Sequence, residues 1–239
     1  MPKPRVIAIA PVLDEEVKVG KVVERVPRDV VEETLIVDDG STDGSAQVAR
    51  DRGATVISLS EVMGVGAAIR TGYEYALEHG FDIAVVMAGN NKDWPEEIPT
   101  LIDPIVRGDA DLVQGSRWII DDQQFGDMPA YRRFATRLHP WLFSKITRHD
   151  MTDTTNGFRA ISADALRQVM PDLRQDWLDE YELEVYLLYK AVKEGLRVTE
   201  VGVHKTYPPK AIGQTKMAPI TGWWSILRPL FLLGFGVKK

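Results

Sequence analysis

The chain has 239 residues, 44% of them hydrophobic and 27% charged, enough for one large folded unit with a real core. It contains no cysteine, which excludes disulfides, thiolate metal sites and a cysteine nucleophile. A formal net charge of -6 argues against a general nucleic-acid binder, which carries a basic face, yet leaves room for a local basic pocket holding a small anion.

The opening stretch MPKPRVIAIAPVLDEE has a short apolar run that ends in carboxylates and lacks a small-residue cleavage site. It reads as a first strand at 5–12 and not as a signal peptide, so a cytoplasmic location is expected. A helix is predicted at 17–26 and a second strand at 33–37. Asp38-Asp39-Gly40-Ser41-Thr42-Asp43-Gly44 then turns into a helix at 45–52. A strand at 54–59, a helix at 64–79 stopped by Gly80, and a strand at 83–87 follow. A helix at 95–106 and a short strand at 111–114 complete the first half. This rhythm predicts an α/β fold, a mostly parallel sheet with helices on both faces. Ligands of such sheets bind beyond the carboxyl ends of the strands, so the loops after Val12, Val37 and Met87 are expected to hold the chemistry.

The second half is less regular. A helix is expected at 131–147, carrying Arg132, Arg133, Arg137 and Lys145, then a strand at 156–162, a helix at 179–193 and a strand at 197–203. Glu182 and Glu184 lie on that periodic helix and read as structural. From 217 onwards the composition changes. Arg228 is the only charge before Lys238, amid Trp223, Trp224, Leu230, Phe231 and Phe235. Pro219, Gly222, Pro229 and Gly234 speak against one continuous spanning helix, and the segment reads as interfacial. In that reading the tryptophans sit at headgroup level, and Arg228, Lys238 and Lys239 face phosphates.

Three motifs sit at the predicted ligand-binding edge. Pro11-Val12-Leu13-Asp14-Glu15-Glu16 either caps the next helix or closes over a nucleobase. In Leu35-Ile36-Val37-Asp38-Asp39-Gly40-Ser41, two adjacent acids offer acceptors to a ribose or a base edge. Met63-Gly64-Val65-Gly66-Ala67 is a weaker signal, because its glycines also suit close packing.

Taken in order, PVLDEE, LIVDDGSTDGS, GVGAAIRTG, VVMAGNNKDWPEEIP, DLVQGSR, TDTTNGFRA and YELEVYLLYKA resemble the family 2 inverting glycosyltransferases, in particular the polyprenyl (dolichyl) phosphate mannose and glucose synthases. The resemblance runs from about Arg5 to Lys216. It implies a single GT-A (Rossmann-like) domain over 1–216, a GDP or UDP sugar donor, and inversion at the anomeric carbon. Carried over by position, Pro11, Glu15, Asp38 and Asp39 face the nucleoside, while Ala88, Gly89 and Asn90 lie at the diphosphate. Lys210 and Lys216 close over the donor. Arg117, Arg132, Arg133 and Arg159 are expected on the acceptor side, and Asp153 is the first candidate for a base if the acceptor is an alcohol.

One departure stands out. The family's Asp-X-Asp falls on Ala88, Gly89 and Asn90, and Lys92 stands where a glutamine helps hold the metal. Magnesium or manganese is therefore in doubt, with Asn90 its one remaining ligand at these positions, and a lysine ammonium is an alternative counter-charge for the leaving diphosphate. The expected function is hexosyl transfer to a polyprenyl-phosphate-type acceptor at a membrane surface. The alternatives are a soluble hydroxyl acceptor, a non-catalytic nucleotide-sugar binder, and a nucleotidyltransferase, whose glycine-rich opening signature is missing. Oligomeric state stays open.

Overall fold

The computed structural model describes residues 3–121, 125–126, 128, 130–207 and 221–238, with the side chains of 221–223 left out. Among the described residues seven strands make one sheet: β1 (Val6–Val12), β2 (Glu33–Asp38), β3 (Thr55–Ser58), β4 (Ile83–Val86), β5 (Leu112–Ser116), β6 (Arg159–Ser162) and β7 (Val198–Gly202). Their order is β3-β2-β1-β4-β6-β5-β7. Neighbours from β3 to β4 are parallel, β6 runs antiparallel to both β4 and β5, and β7 pairs parallel with β5. The sheet is thus mostly parallel, with β6 the reversed strand.

The apolar runs explain the layers. Alternate residues of β1 enter opposite cores, because successive side chains of a strand point to opposite faces. Ile7 and Ile9 pack with α3 (Val65–Glu78), α6 (Ala163–Leu173) and α7 (Glu182–Lys193). Val6, Ala8, Ala10 and Val12 pack with α1 (Glu16–Arg25), α2 (Ser45–Asp51) and α4 (Ile98–Val106). Helix α6 has no counterpart among the sequence expectations. Ser162 opens it by accepting a hydrogen bond from the Ala165 N–H.

Two further helices lie over the first core. Helix α5 (Ala130–Thr147) buries Thr136, His139, Pro140, Phe143 and Thr147. Helix α8 (Thr221–Gly234) packs on α5 and α7 and buries Ile226, Leu230 and Leu233. The chain departs from β1 to β2 and β3 on one side, then returns to β4 on the other. Strand order therefore reverses between β1 and β4, and the carboxyl ends of those two strands open a crevice.

Candidate active site

That crevice is a cavity of about 570 Å³, the size range of small-molecule sites. At one end Pro11, Val12, Leu13, Glu15, Asp39 and Val62 line it. The first two motifs are stitched together here. The Asp14 carboxylate accepts from the Thr42 N–H at 2.8 Å, Glu16 accepts from the Gly44 N–H at 3.2 Å, and the Glu15 N–H donates to the Ser45 hydroxyl at 2.7 Å. Glu15 occupies the N-cap position of α1 with no side-chain cap, so these acids fasten one loop to the next instead of capping the helix.

The two adjacent aspartates have different positions. Asp38 accepts from the Ser41 N–H at 3.0 Å, shapes the turn and does not line the cavity. Asp39 lines it, and accepts from the Met63 N–H at 2.7 Å and the Gly64 N–H at 3.0 Å. Burial raises the Asp39 pKa against those two backbone donors. Gly64 has φ +103, and a Cβ there would stand 2.3 Å from the Asp179 carbonyl oxygen. The GVG motif is therefore a close approach between the start of α3 and the chain at 178–180.

The floor comes from the loop after β4. Ala88, Gly89, Asn90 and Lys92 all line the cavity. Gly89 lies flush on β1, where a Cβ would meet Val12 Cγ2 at 2.5 Å and the Pro11 carbonyl oxygen at 2.6 Å. The Asn90 Oδ1 is buried with no hydrogen-bond partner among the described residues. Lys92 is 6% exposed, and burial together with Arg132, Lys205 and Lys18 lowers its pKa to about 7.

At the other end Arg117 lines the cavity wall, although only 2% of it is exposed. Its Nε donates to Asp153 Oδ2 at 2.6 Å and its Nη2 to Asp153 Oδ1 at 3.1 Å. Nη1 donates to the Tyr207 hydroxyl at 2.6 Å. Burial works against the Arg117 charge, but Asp153, Tyr207 and Asp93 more than offset it and raise its pKa. Asp153 itself does not reach the cavity. Both of its oxygens are committed to the guanidinium, which fixes Arg117 in place.

Arg132 lines the cavity with its guanidinium 5.5 Å from the Tyr207 ring centre, whereas the exposed Arg133 lies over Phe125 and away from it. Arg159 lines the inner wall, where its Nη2 donates to Glu184 Oε1 at 3.0 Å. Arg228 does not face outward towards phosphates as expected. It pairs with the buried Glu182 at 2.9 Å, because the turn of α8 that carries it rests on the start of α7. Lys210 and Lys216 lie outside the described residues.

Lys205 and Tyr207 escaped the sequence reading. Both line or abut the cavity wall just beyond β7, and Val203, Lys205 and Tyr207 are all buried while His204 and Thr206 are less so. That two-residue alternation was the available signal, masked by a charged residue in the middle of it.

The sequence model of glycosyl transferase family 2 matches residues 8–170. The chain belongs to that family. Among relatives of this family 2 chain, an undecaprenyl-phosphate mannosyltransferase of Micrococcus luteus is 30% identical over 226 residues, covering 90% of this chain and 88% of its own. A polyprenol monophosphomannose synthase of Mycolicibacterium smegmatis is 28% identical, covering 91% and 82%. Among solved structures, glucosyl-3-phosphoglycerate synthase of Mycobacterium tuberculosis with Mn2+ and UDP-glucose is similar at TM-score 0.70 and 19% identity, covering 99% of this chain and 80% of that one. That likeness confirms the GT-A architecture. The chain is a glycosyltransferase by family, and the cavity at the carboxyl ends of β1, β2 and β4 is its candidate active site.

Proposed function

We propose that the chain moves a hexose from a GDP or UDP sugar to a polyprenyl-phosphate-type acceptor, with inversion at the anomeric carbon. The observation that carries this reading is the buried Arg117, held charged by Asp153 and Tyr207, with Arg132 beside it. The donor nucleoside lies against Pro11, Glu15 and Asp39, with Asp38 shaping the turn beneath it. An acceptor phosphate meets Arg117 and Arg132, with Arg133 and Arg159 further out and further in.

An ionised phosphate is already a nucleophile and needs no base, and the acid beside Arg117, Asp153, is tied to that arginine, which suits a phosphate better than an alcohol. The phosphate oxygen bonds to the anomeric carbon as the bond to the leaving diphosphate breaks, and the electron pair departs with the diphosphate oxygen. Catalysis is then positioning plus electrostatic relief of the leaving group.

The lipid part of the acceptor is supported by the outer faces of α5 and α8. Tyr131, Phe134, Leu138 and Trp141 form an exposed stripe on α5, and Trp224, Phe231 and Phe235 another along α8 and just beyond its end. Neither helix contains an acidic residue, in a chain of net charge -6, while Arg133, Arg137 and Lys145 flank the α5 stripe. Aromatic residues with basic flanks suit an anionic membrane surface. No helix among the described residues is long and apolar enough to cross a membrane. In this reading the exposed aromatics of α5 and α8 and their basic flanks dock the chain peripherally at the inner face of the cell membrane.

The product distinguishes the readings. Labelled nucleotide sugars are incubated with a short-chain polyprenyl phosphate and the lipid is examined by phosphorus NMR. A phosphate monoester converted to a hexosyl phosphodiester supports the proposal. Donor binding without product favours a non-catalytic binder.

A further inference from the structure

The loop after β4 is fastened to the chain beyond β7 by contacts that run side by side. Asp93 and Lys205 form a backbone bridge, and the Thr206 N–H donates to the Lys92 carbonyl at 2.8 Å. Trp94 stacks on His204 with ring centres 4.5 Å apart, and its indole N–H donates to the Thr206 hydroxyl at 3.1 Å. Within this seam the Lys205 ammonium, 8% exposed at the cavity wall, donates to Asp93 Oδ1 at 2.5 Å and to Asn156 Oδ1 at 2.7 Å. The second Asp93 oxygen accepts from the Ala88 N–H at 2.8 Å.

This donor set does not fit a divalent metal. Magnesium and manganese favour anionic oxygens. Ala88 offers no side-chain oxygen, Asn90 offers one neutral oxygen, and both Asp93 oxygens are engaged by Lys205 and a backbone N–H. Among the described residues no three His, Asp or Glu side chains come together for a metal. What faces the cavity around this loop is cationic: Lys92 from the loop, Lys205 from the chain beyond β7 and Arg132 from α5. Lys92 Nζ lies 5.9 Å from the Tyr207 ring centre, on the same ring that Arg132 approaches.

We propose that Lys92 and Lys205, clamped by Asp93 and Asn156, form a built-in cationic site for the donor diphosphate that takes the place of a divalent metal. Asp93 and Asn156 fix Lys205, and the zipped segment fixes the Lys92 backbone, so the Lys205 charge and the Lys92 amine are both positioned before the donor arrives. As the anomeric carbon–oxygen bond breaks, the growing charge on the diphosphate meets two ammonium groups without a metal cage being assembled. Burial first, and then the cations Arg132, Lys205 and Lys18, hold the Lys92 pKa at about 7, so an arriving diphosphate anion favours the protonated amine and completes the pair of ammonium groups. This inference rests on the cavity being the donor site proposed above.

Calorimetry of GDP and UDP binding to the full chain, in excess EDTA and then with Mn2+, tests it. At least one nucleotide should bind in EDTA with an affinity within about threefold of that in Mn2+, and Lys205→Met and Lys92→Met should each lose roughly tenfold or more. Binding that appears only with Mn2+ overturns the inference while leaving the donor site intact. Failure of both nucleotides under both conditions overturns the donor site itself. Because a buried-lysine variant can misfold, Mn2+ paramagnetic resonance on the unaltered chain provides a second reading. The free-ion signal should fall no further with protein and nucleotide than with nucleotide alone, and a protein-dependent fall contradicts the proposal. The converse design, Ala88→Asp with Asn90→Asp and Lys92→Gln, should create Mn2+-dependent nucleotide binding.

Discussion

The hydroxyl of Tyr207 accepts a hydrogen bond from Arg117 at 2.6 Å while its ring centre lies 5.9 Å from Lys92 Nζ and 5.5 Å from the Arg132 guanidinium, so one aromatic residue stands between Lys92 of the β4 loop and the two arginines proposed for the acceptor. Tyr207→Phe keeps the ring and removes the acceptor. A hydrogen bond to a charged group contributes about 1.5–3 kcal/mol, so the acceptor Michaelis constant should rise roughly ten- to a hundredfold. Steady-state kinetics with each substrate varied in turn checks this, with the donor constant moving far less. Equal movement of both constants would deny Tyr207 its link to the acceptor end.

Asp153 has a related consequence. The pair it makes with Arg117 is buried on both sides, at 2% and 0% exposure. Breaking such a pair from one side costs roughly 3–5 kcal/mol, so Asp153→Asn should lower the unfolding free energy by that order. It should also weaken acceptor binding without removing a limb from the pH–rate profile. Loss of the acidic limb in Asp153→Asn would restore a general-base role.

His139 joins α5 to both the acceptor-side loop and α8. Its Nε2 faces the Ile226 carbonyl at 3.1 Å, which can only accept, so Nε2 carries the proton and Nδ1 accepts from the Thr154 hydroxyl at 2.6 Å. Burial lowers its pKa from 6.5 to about 4, against smaller opposing effects of the Ile226 carbonyl and Asp153. The unfolded chain then binds more protons between those values. This contribution to stability is complete above pH 6.5 and is lost as pH falls towards 4, on the order of 3 kcal/mol in all. Denaturant unfolding at pH 7.5 and 5 should show a smaller drop for His139→Gln than for the unaltered chain. An identical drop would remove His139 from the account of acid sensitivity.

Membrane docking is best tested by point changes. Ser225 and Ile226 of α8 line the catalytic cavity, so deleting the C-terminal segment opens the site as well as removing the exposed aromatics. Trp224→Ala with Phe231→Ala, and Phe134→Ala with Trp141→Ala, alter exposed side chains only. Burial of each large apolar side chain is worth about 1.5–3 kcal/mol, so either pair should lower co-sedimentation with anionic vesicles roughly tenfold or more. Full retention in both variants would assign these stripes to a protein contact.

The first half of the sheet was legible because its central strands are short, continuous apolar runs separated by turn signals, from VIAIAPV in β1 to IAVV in β4. Asp39 was legible as an acid at a strand end and Lys92 through the resemblance, as a cation in the loop where that family places its metal ligands, and both line the cavity. The pairing of Asp153 was not legible, because the sequence does not reveal that Arg117, 36 residues earlier, takes both its oxygens. Arg228 was misread for a similar reason, since its partner Glu182 lies on another helix. Lys205 and its clamp depend on three segments distant in sequence, around Asp93, Asn156 and the end of β7, which only the folded chain brings together.

The most direct test of transfer to a lipid phosphate is acceptor competition in a single reaction. The full chain is supplied with a labelled GDP or UDP hexose, vesicles containing a polyprenyl phosphate, and an equal concentration of a water-soluble phosphate monoester such as 3-phosphoglycerate. The account predicts label almost wholly in the organic phase, with Arg117→Ala and Arg132→Ala each reducing it. Label that stays in the aqueous product while the lipid phosphate is untouched would contradict it.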